Sequence, residues 1–249
     1  MRLLLANPNT SQSVTDRIAA VARDAASPGT VVHAVTARLG PPYIATRAEA
    51  VLGAYAVLDL LAEHAHDADA VIVGAFADPG LGAARELLSI PVVGMAEAEM
   101  LTACMLGRRF AIVTFAPALE PWYQECVDYH GLAGRCAGVF CLNEPFADIA
   151  SVAEEKAAKL AALCGKAVHA GADVCILGGA PLAGLAHAVA DQVPVPLVDG
   201  VAAAVRQAET LAALRPRKAT AGSFRRPAGK VVIGVSPGLQ RLFGGGDAQ

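Results

Sequence analysis

Residues 68–75 read Ala68-Asp69-Ala70-Val71-Ile72-Val73-Gly74-Ala75 and run on to Pro91-Val92-Val93-Gly94. Roughly 104 residues later the pattern returns as Ala172-Asp173-Val174-Cys175-Ile176-Leu177-Gly178-Gly179, reaching Pro196-Leu197-Val198-Asp199. A short apolar run closed by glycine is the pattern of a strand buried on both faces. Its return in register predicts an internal duplication, with two similar half-proteins facing each other. Each copy ends on a small residue, Ala75 or Gly179, where the strand meets a loop containing Pro and Gly. In an open α/β sheet the ligand sits at that end of the strands.

The rest of the chain fits the same plan. Residues 3–6 form an apolar run ended by Asn7-Pro8-Asn9-Thr10-Ser11, with Thr10 or Ser11 placed to cap a helix to about residue 26. A strand at 31–35, a helix over about 48–65, a strand at 71–73 and a helix over 81–88 follow. Before that last helix Asp78 is placed to cap and Pro79 to take the first helical position. Phe110-Ala111-Ile112-Val113-Thr114-Phe115 opens the second half as residues 3–6 open the first. Ser151 and Glu154 have capping-box spacing ahead of a helix to about residue 170. A strand at 195–198 and a helix over about 201–214 close the repeat. The alternation predicts parallel sheets covered by helices, that is, two pseudo-symmetric flavodoxin-like α/β halves with a cleft between them. The expected units are 1–106, whose last strand and helix are free to cross over, then 107–214, then a basic tail over 215–249 that is mobile or partly docked.

Composition narrows the function classes. Mean hydropathy is +0.46, yet alanine supplies much of it and no apolar run approaches the roughly 20 residues of a membrane span. The chain opens directly on a strand pattern without a charged leader, so a cytoplasmic location is expected. Six cysteines without paired metal-ligand spacing read as reduced core thiols, and no metal or cofactor is expected. Net charge is −3, and residues 215–249 hold seven Lys or Arg against Asp247 alone, which leaves the body acidic and argues against nucleic acid. Ala-rich helices suggest a homo-oligomer.

Several separated motifs carry a resemblance. Leu5-Ala6-Asn7-Pro8-Asn9-Thr10, Phe76-Ala77-Asp78-Pro79-Gly80-Leu81 with Ala84-Arg85-Glu86, Pro91-Val92-Val93-Gly94, Gly107-Arg108-Arg109-Phe110 and Val198-Asp199-Gly200-Val201 stand in order. Over residues 1–214 the chain resembles the aspartate/glutamate/hydantoin racemase family, most closely its hydantoin and allantoin branch. That resemblance implies a cofactor-independent racemase using two cysteines, one per half, on opposite faces of a carbon next to a carbonyl. One thiolate takes a proton and the other thiol returns one. The matching positions here are Ala75 and Gly179, and neither side chain exchanges protons. Decarboxylases of the same superfamily keep one cysteine and form an enediolate by losing CO₂, but that thiol is missing too.

Three readings follow: altered isomerase chemistry on a hydantoin-like or amino-acid-like molecule, a lyase or decarboxylase working through an enolate, or a catalytically inactive homologue, natural or engineered, that binds the ligand. Substitute acid–base candidates are Asp78, which otherwise caps a helix; Glu97, which otherwise complements a helix dipole; and Tyr43, which otherwise packs in its loop. His130 and His187 read as surface or helix-end residues. The expected binding shell is Asn9, Pro41, Ile44, Ala75, Phe76, Thr114, Phe115, Gly179, Ala180 and Pro181. Backbone N–H groups at Phe76 and Ala180, at two helix starts, would hold the carboxylate or imide of a small-molecule ligand. The two small tips suggest room for a bulkier ligand than a thiol-lined site admits.

Overall fold

Leu3, Leu5, Ile72 and Val93 turn to one side of the first sheet and enter the large core shared with the second half. Leu4, Ala6, Val71, Val73 and Val92 turn to the other and form a separate core with Leu81, Leu87, Val57 and Leu61. This two-residue alternation within uninterrupted apolar runs places helices on both faces of a parallel sheet. The computed structural model describes residues 1–244. The first sheet holds β1 (Arg2–Asn7), β2 (Val31–Thr36), β3 (Ala70–Val73) and β4 (Val92–Gly94) in the order β2-β1-β3-β4, all parallel. The second holds β5 (Phe110–Thr114), β6 (Cys136–Cys141), β7 (Val174–Leu177) and β8 (Leu197–Val198) in the matching order β6-β5-β7-β8. The duplication read from sequence is therefore a duplication of topology.

The helices are α1 (Gln12–Ala25), α2 (Arg47–His64), α3 (Leu81–Leu87), α4 (Met95–Leu106), α5 (Glu120–Tyr129), α6 (Val152–His169), α7 (Leu185–Ala188), α8 (Gly200–Leu214) and α9 (Pro237–Phe243). The two halves exchange one helix each. α4 follows β4 yet packs on β5, β7 and β8, while α8 follows β8 and packs on β1, β3 and β4. Where α4 and α8 meet, Ala96, Ala98, Ala103, Ala203, Ala204 and Ala208 are buried. Their small side chains let the axes approach closely. No helix of the described residues is long and apolar enough to cross a membrane.

Local structure departs from expectation in three places, and the tail takes the partly docked form. Asp78 does not cap α3 and Pro79 is not its first residue; Gly80, with φ 81°, is the N-cap, and no side chain bonds that end. Ser151 heads α6 without a side-chain cap bond: its hydroxyl donates to the Asp148 carbonyl at 3.4 Å, and Glu154 pairs with Arg17 at 2.8 Å. β6 escaped notice because every residue in it is only half-buried and Gly138, at φ 144°, breaks its pattern. The tail is docked through α9, where Ser236 caps the helix and donates to Asp59 at 2.5 Å, and Leu239 and Leu242 are buried against α2. The apolar Val231 and Ile233 stay exposed and form no strand. Residues 245–249, which end the expected tail, lie outside the described residues.

Candidate functional site

β1 ends in a fixed polar turn. Asn7 donates to the side-chain oxygens of Asn9 at 3.1 Å and Thr15 at 2.9 Å, and Ser11 N–H donates to Asn9 at 2.9 Å. The carbonyl end of the Asn9 side chain is thus used within the turn, and its NH₂ has no protein acceptor among the described residues. Thr10 N–H donates to the Pro41 carbonyl at 3.1 Å, which ties this turn to the loop carrying Tyr43 and Ile44. Ile44 itself packs against Gly53 of α2, so it supports the loop.

The first strand tip is strained. Ala77 and Asp78 have φ of 71° and 51°, left-handed values that cost a non-glycine residue of order 1–3 kcal/mol. This turn brings Phe76 round against the second half, where its ring lies 3.3 Å from the β-carbon position of Gly178. It also stacks on Tyr123 with ring centroids 4.2 Å apart. The two tips therefore converge. α3 starts five residues beyond Phe76, and only a 3₁₀ turn, Ala180–Leu182, and the four-residue α7 follow Gly179. The donors at Phe76 and Ala180 are loop N–H groups and not the ends of long helices. Neither is used in a hydrogen bond among the described residues.

The second tip holds a residue that sequence reading missed. Gly179 has φ 128°, a conformation that L side chains rarely adopt. A β-carbon there would lie 3.3 Å from Phe115 and 3.4 Å from the Tyr123 hydroxyl. A side chain at 179 would therefore stand in contact with the Phe115 ring and the Tyr123 phenol of α5, so the second tip is closely lined. Burial pushes the Tyr123 phenol well above its ordinary value, against the opposing influence of the Thr114 hydroxyl. At neutral pH it is a proton donor. Thr114 in turn donates to the Gly178 carbonyl at 2.8 Å. Tyr43 stands against Phe115 and Phe146, its hydroxyl buried without a hydrogen-bond partner among the described residues, and burial raises its pKa as well. Phe76, Thr114, Phe115, Gly179, Tyr43 and Tyr123 come together as one aromatic cluster; Ala75, Ala180 and Pro181 are buried at the two tips. Only helical phase on α5 could have revealed Tyr123.

Asp78 and Glu97 belong to a different cluster. Asp78 reaches over to the start of α4, accepting from Ala96 N–H at 2.8 Å and Glu97 N–H at 2.9 Å. Gly94 makes this possible, since a β-carbon there would fall 2.3 Å from the Asp78 carboxylate. The other half inverts the arrangement: Asp199 caps its own helix α8 through Val201 and Ala202 and reaches back to Gly184 N–H at 2.6 Å. His130, expected at the surface or at a helix end, is the C-terminal cap of α5, and its side chain is only 8% exposed. Its Nε2 lies 3.5 Å from Asp78 and its Nδ1 3.6 Å from Glu97, which also pairs with Arg85. Burial lowers the affinity of His130 for its proton, but Asp78, Cys126 and Glu97 prevail and hold its pKa up at about 11. Burial raises Glu97, yet His130 and Arg85 prevail and hold it at about 2. Burial also pushes Asp78 up, opposed by His130 and the two backbone donors. Glu97 is an ion-paired anion and a poor base. The missed signal was Cys126 and His130, four residues apart on one helical face.

A second buried acid lies beneath the site. Glu99 on α4 is fully buried, and neither carboxyl oxygen makes a hydrogen bond of good geometry. Gly200 must lack a side chain, because a β-carbon would sit 2.6 Å from Glu99. Burial raises the Glu99 pKa well above the ordinary range, and the negative charges of Asp199 and Asp78 add to this.

Residues 3–208 match the family model described as Asp/Glu/Hydantoin racemase. Hydantoin racemase from Paenarthrobacter aurescens is 32% identical over 236 residues, covering 92% of this chain and 99% of that protein. The allantoin racemase structure from Klebsiella pneumoniae superposes with a TM-score of 0.89 at 33% identity, over 97% of this chain and 98% of that one. The allantoin racemase from Pseudomonas fluorescens gives 0.87 at 34% identity, over 94% and 100%. With its paired sheets, converging tips and these similarities, the chain belongs to the Asp/Glu/hydantoin racemase family, in the hydantoin and allantoin racemase branch.

Proposed function

We propose that this isomerase-family enzyme acts at the carbon next to a carbonyl in a hydantoin-like or amino-acid-like molecule, with the Tyr123 phenol standing in for the thiol of the second half. The observation that carries the reading is the Tyr123 hydroxyl 3.4 Å from the β-carbon position of Gly179. Because neither tip can accept the α-proton, that proton passes to water. The protonated Tyr123 phenol donates a hydrogen bond or a proton to the enolate so formed, the N–H groups of Phe76 and Ala180 stabilise its oxygen, and water returns the proton to the phenolate. Asn9 and Thr114 orient the ligand. No cofactor is needed for this chemistry.

A lyase reading is favoured by a specific feature of the same cluster. Neither tip offers a group that accepts a proton at neutral pH, because Ala75 and Gly179 cannot and the two phenols are held protonated by burial. Loss of CO₂ forms an enolate without a base, and Tyr123 then protonates it. A ligand-binding protein without turnover is the third possibility. The six unpaired thiols suit a cytoplasmic setting, and the exposed Leu101, Met105 and Leu106 of α4 suit a homo-oligomer.

Incubation in D₂O with a panel of hydantoins and amino acids separates these. Isomerase chemistry places deuterium on the α-carbon of recovered substrate, and Tyr123→Phe removes it by about 10²–10⁴-fold. Release of CO₂ from aryl- or alkylmalonates selects the lyase. Ligand binding with neither product selects the silent protein.

A further inference from the structure

Apart from the aromatic cluster, Asp78, Cys126 and His130 bring a carboxylate oxygen, a thiol and an imidazole nitrogen within 4.8 Å of one another. We infer that these three side chains form a binding site for a zinc-type divalent cation, with its remaining coordination position facing a surface groove. The donor set is one sulfur, one nitrogen and one oxygen, which suits a borderline-soft ion such as Zn²⁺ better than Mg²⁺ or Ca²⁺, whose sites are built of oxygens. The spacing fits as well. Ligand atoms 2.0–2.3 Å from a tetrahedral zinc stand roughly 3.3–3.8 Å apart; Asp78 Oδ2 and His130 Nε2, 3.5 Å apart, have that spacing, and the Cys126 thiol lies within 4.8 Å of both.

Each donor is held in place by something other than the ion. Cys126 and His130 project from the same face of α5, His130 at its C-terminal cap. The Asp78 carboxylate is aimed by the N–H groups of Ala96 and Glu97. The second imidazole nitrogen, Nδ1, faces Glu97, and Glu97 is anchored by Arg85 at 3.0 Å. A carboxylate behind a ligating histidine is the usual outer support of a zinc site, fixing ring orientation and tautomer. A groove of about 440 Å³, lined by these three residues together with Trp122, Tyr129 and Ala50, opens on the cluster. It supplies an entry path and room for water or a small anion as the fourth ligand. Three protein ligands and one open position is the arrangement of a zinc site that exchanges ligands. Nothing in this inference depends on the chemistry proposed for the aromatic cluster.

Cobalt(II), whose thiolate bond absorbs in the near ultraviolet, tests it on the chelator-treated full chain. The expected result is saturable binding of one Co²⁺ per chain with sulfur-to-cobalt absorption, displaced by Zn²⁺. Cys126→Ser abolishes that band while circular dichroism is unchanged. Glu97→Gln, which removes the carboxylate behind His130 together with its ion pair to Arg85 and leaves all three ligands in place, weakens binding about 10–100-fold. Because Asp78→Asn disturbs the start of α4, Cys126→Ser and His130→Gln decide the matter. Absence of saturable binding to the wild-type chain overturns the site, as does a sulfur band that survives Cys126→Ser or an affinity unaltered in His130→Gln.

Discussion

The hydroxyl of Tyr123 stands 3.4 Å from the point to which a β-carbon on Gly179 would project, so α5 presents a phenol at the second strand tip. Putting cysteine at 179 therefore meets two obstacles: a φ of 128° and a phenol already in place. Gly179→Cys is expected to lose about 1–3 kcal/mol of unfolding free energy from backbone strain alone. Ala75→Cys, at an ordinary φ, should cost less. Denaturant titration of both single variants checks the order. Two-thiol racemisation should appear in the Ala75→Cys, Gly179→Cys protein only when Tyr123 is also shortened. Activity with Tyr123 intact would show that the phenol yields its place.

Gly94→Ala tests the bond between the first tip and α4. Its methyl would fall 2.3 Å from Asp78 Oδ2, so the carboxylate must leave the N–H groups of Ala96 and Glu97. Leaving buried donors unpaired costs about 1–3 kcal/mol each, and a comparable loss of stability is expected. In an Asp78→Ala background, where those donors are already bare, Gly94→Ala should cost far less. Equal costs in both backgrounds would place the strain elsewhere.

How much of this was legible beforehand depended on periodicity. The apolar runs at residues 70–73 and 174–177 fixed two parallel sheets because burial on both faces leaves a continuous apolar signature. Ala75, Phe76, Thr114 and Gly179 could be placed at strand ends for the same reason. Tyr123, His130 and Cys126 could not, because they lie on α5, whose phase against the sheet is a tertiary matter. Nor could the exchange of α4 and α8, since a helix carries no mark of which sheet it will cover. Asp78 was misread because a local cap and a cap on a helix 18 residues away look identical in sequence.

The Arg85, Glu97, His130 and Asp78 chain gives stability a pH signature at both ends. Glu97 is held at about 2 in the folded protein against an ordinary 4.5, so its contribution is present above pH 4.5 and fades as pH falls toward 2. His130 is held at about 11 against 6.5, so its contribution is full below 6.5 and fades as pH rises toward 11. Urea midpoints measured from pH 3 to 10 on metal-free protein should show less acid loss in Glu97→Gln and less alkaline loss in His130→Gln. A proton resonance of His130 that titrates near 6.5 would mean the imidazole is not paired.

Glu99 has the opposite sign to Glu97. Its folded pKa lies well above the ordinary 4.5, so the folded protein holds a proton that the unfolded chain releases, and stability falls as pH climbs from 4.5 toward that folded value. Below 4.5 both states are neutral and the penalty vanishes. Glu99→Gln keeps the shape and removes the ionisation, so it should match the parent near pH 4 and exceed it at pH 8 in urea midpoint. The neighbouring Asp199 and Asp78 sharpen the difference, because each opposes a negative charge at 99. A Glu99→Gln protein less stable than the parent at pH 8 would mean that the carboxylate is charged there and held by a partner. In that case Glu99 becomes the base that neither strand tip provides.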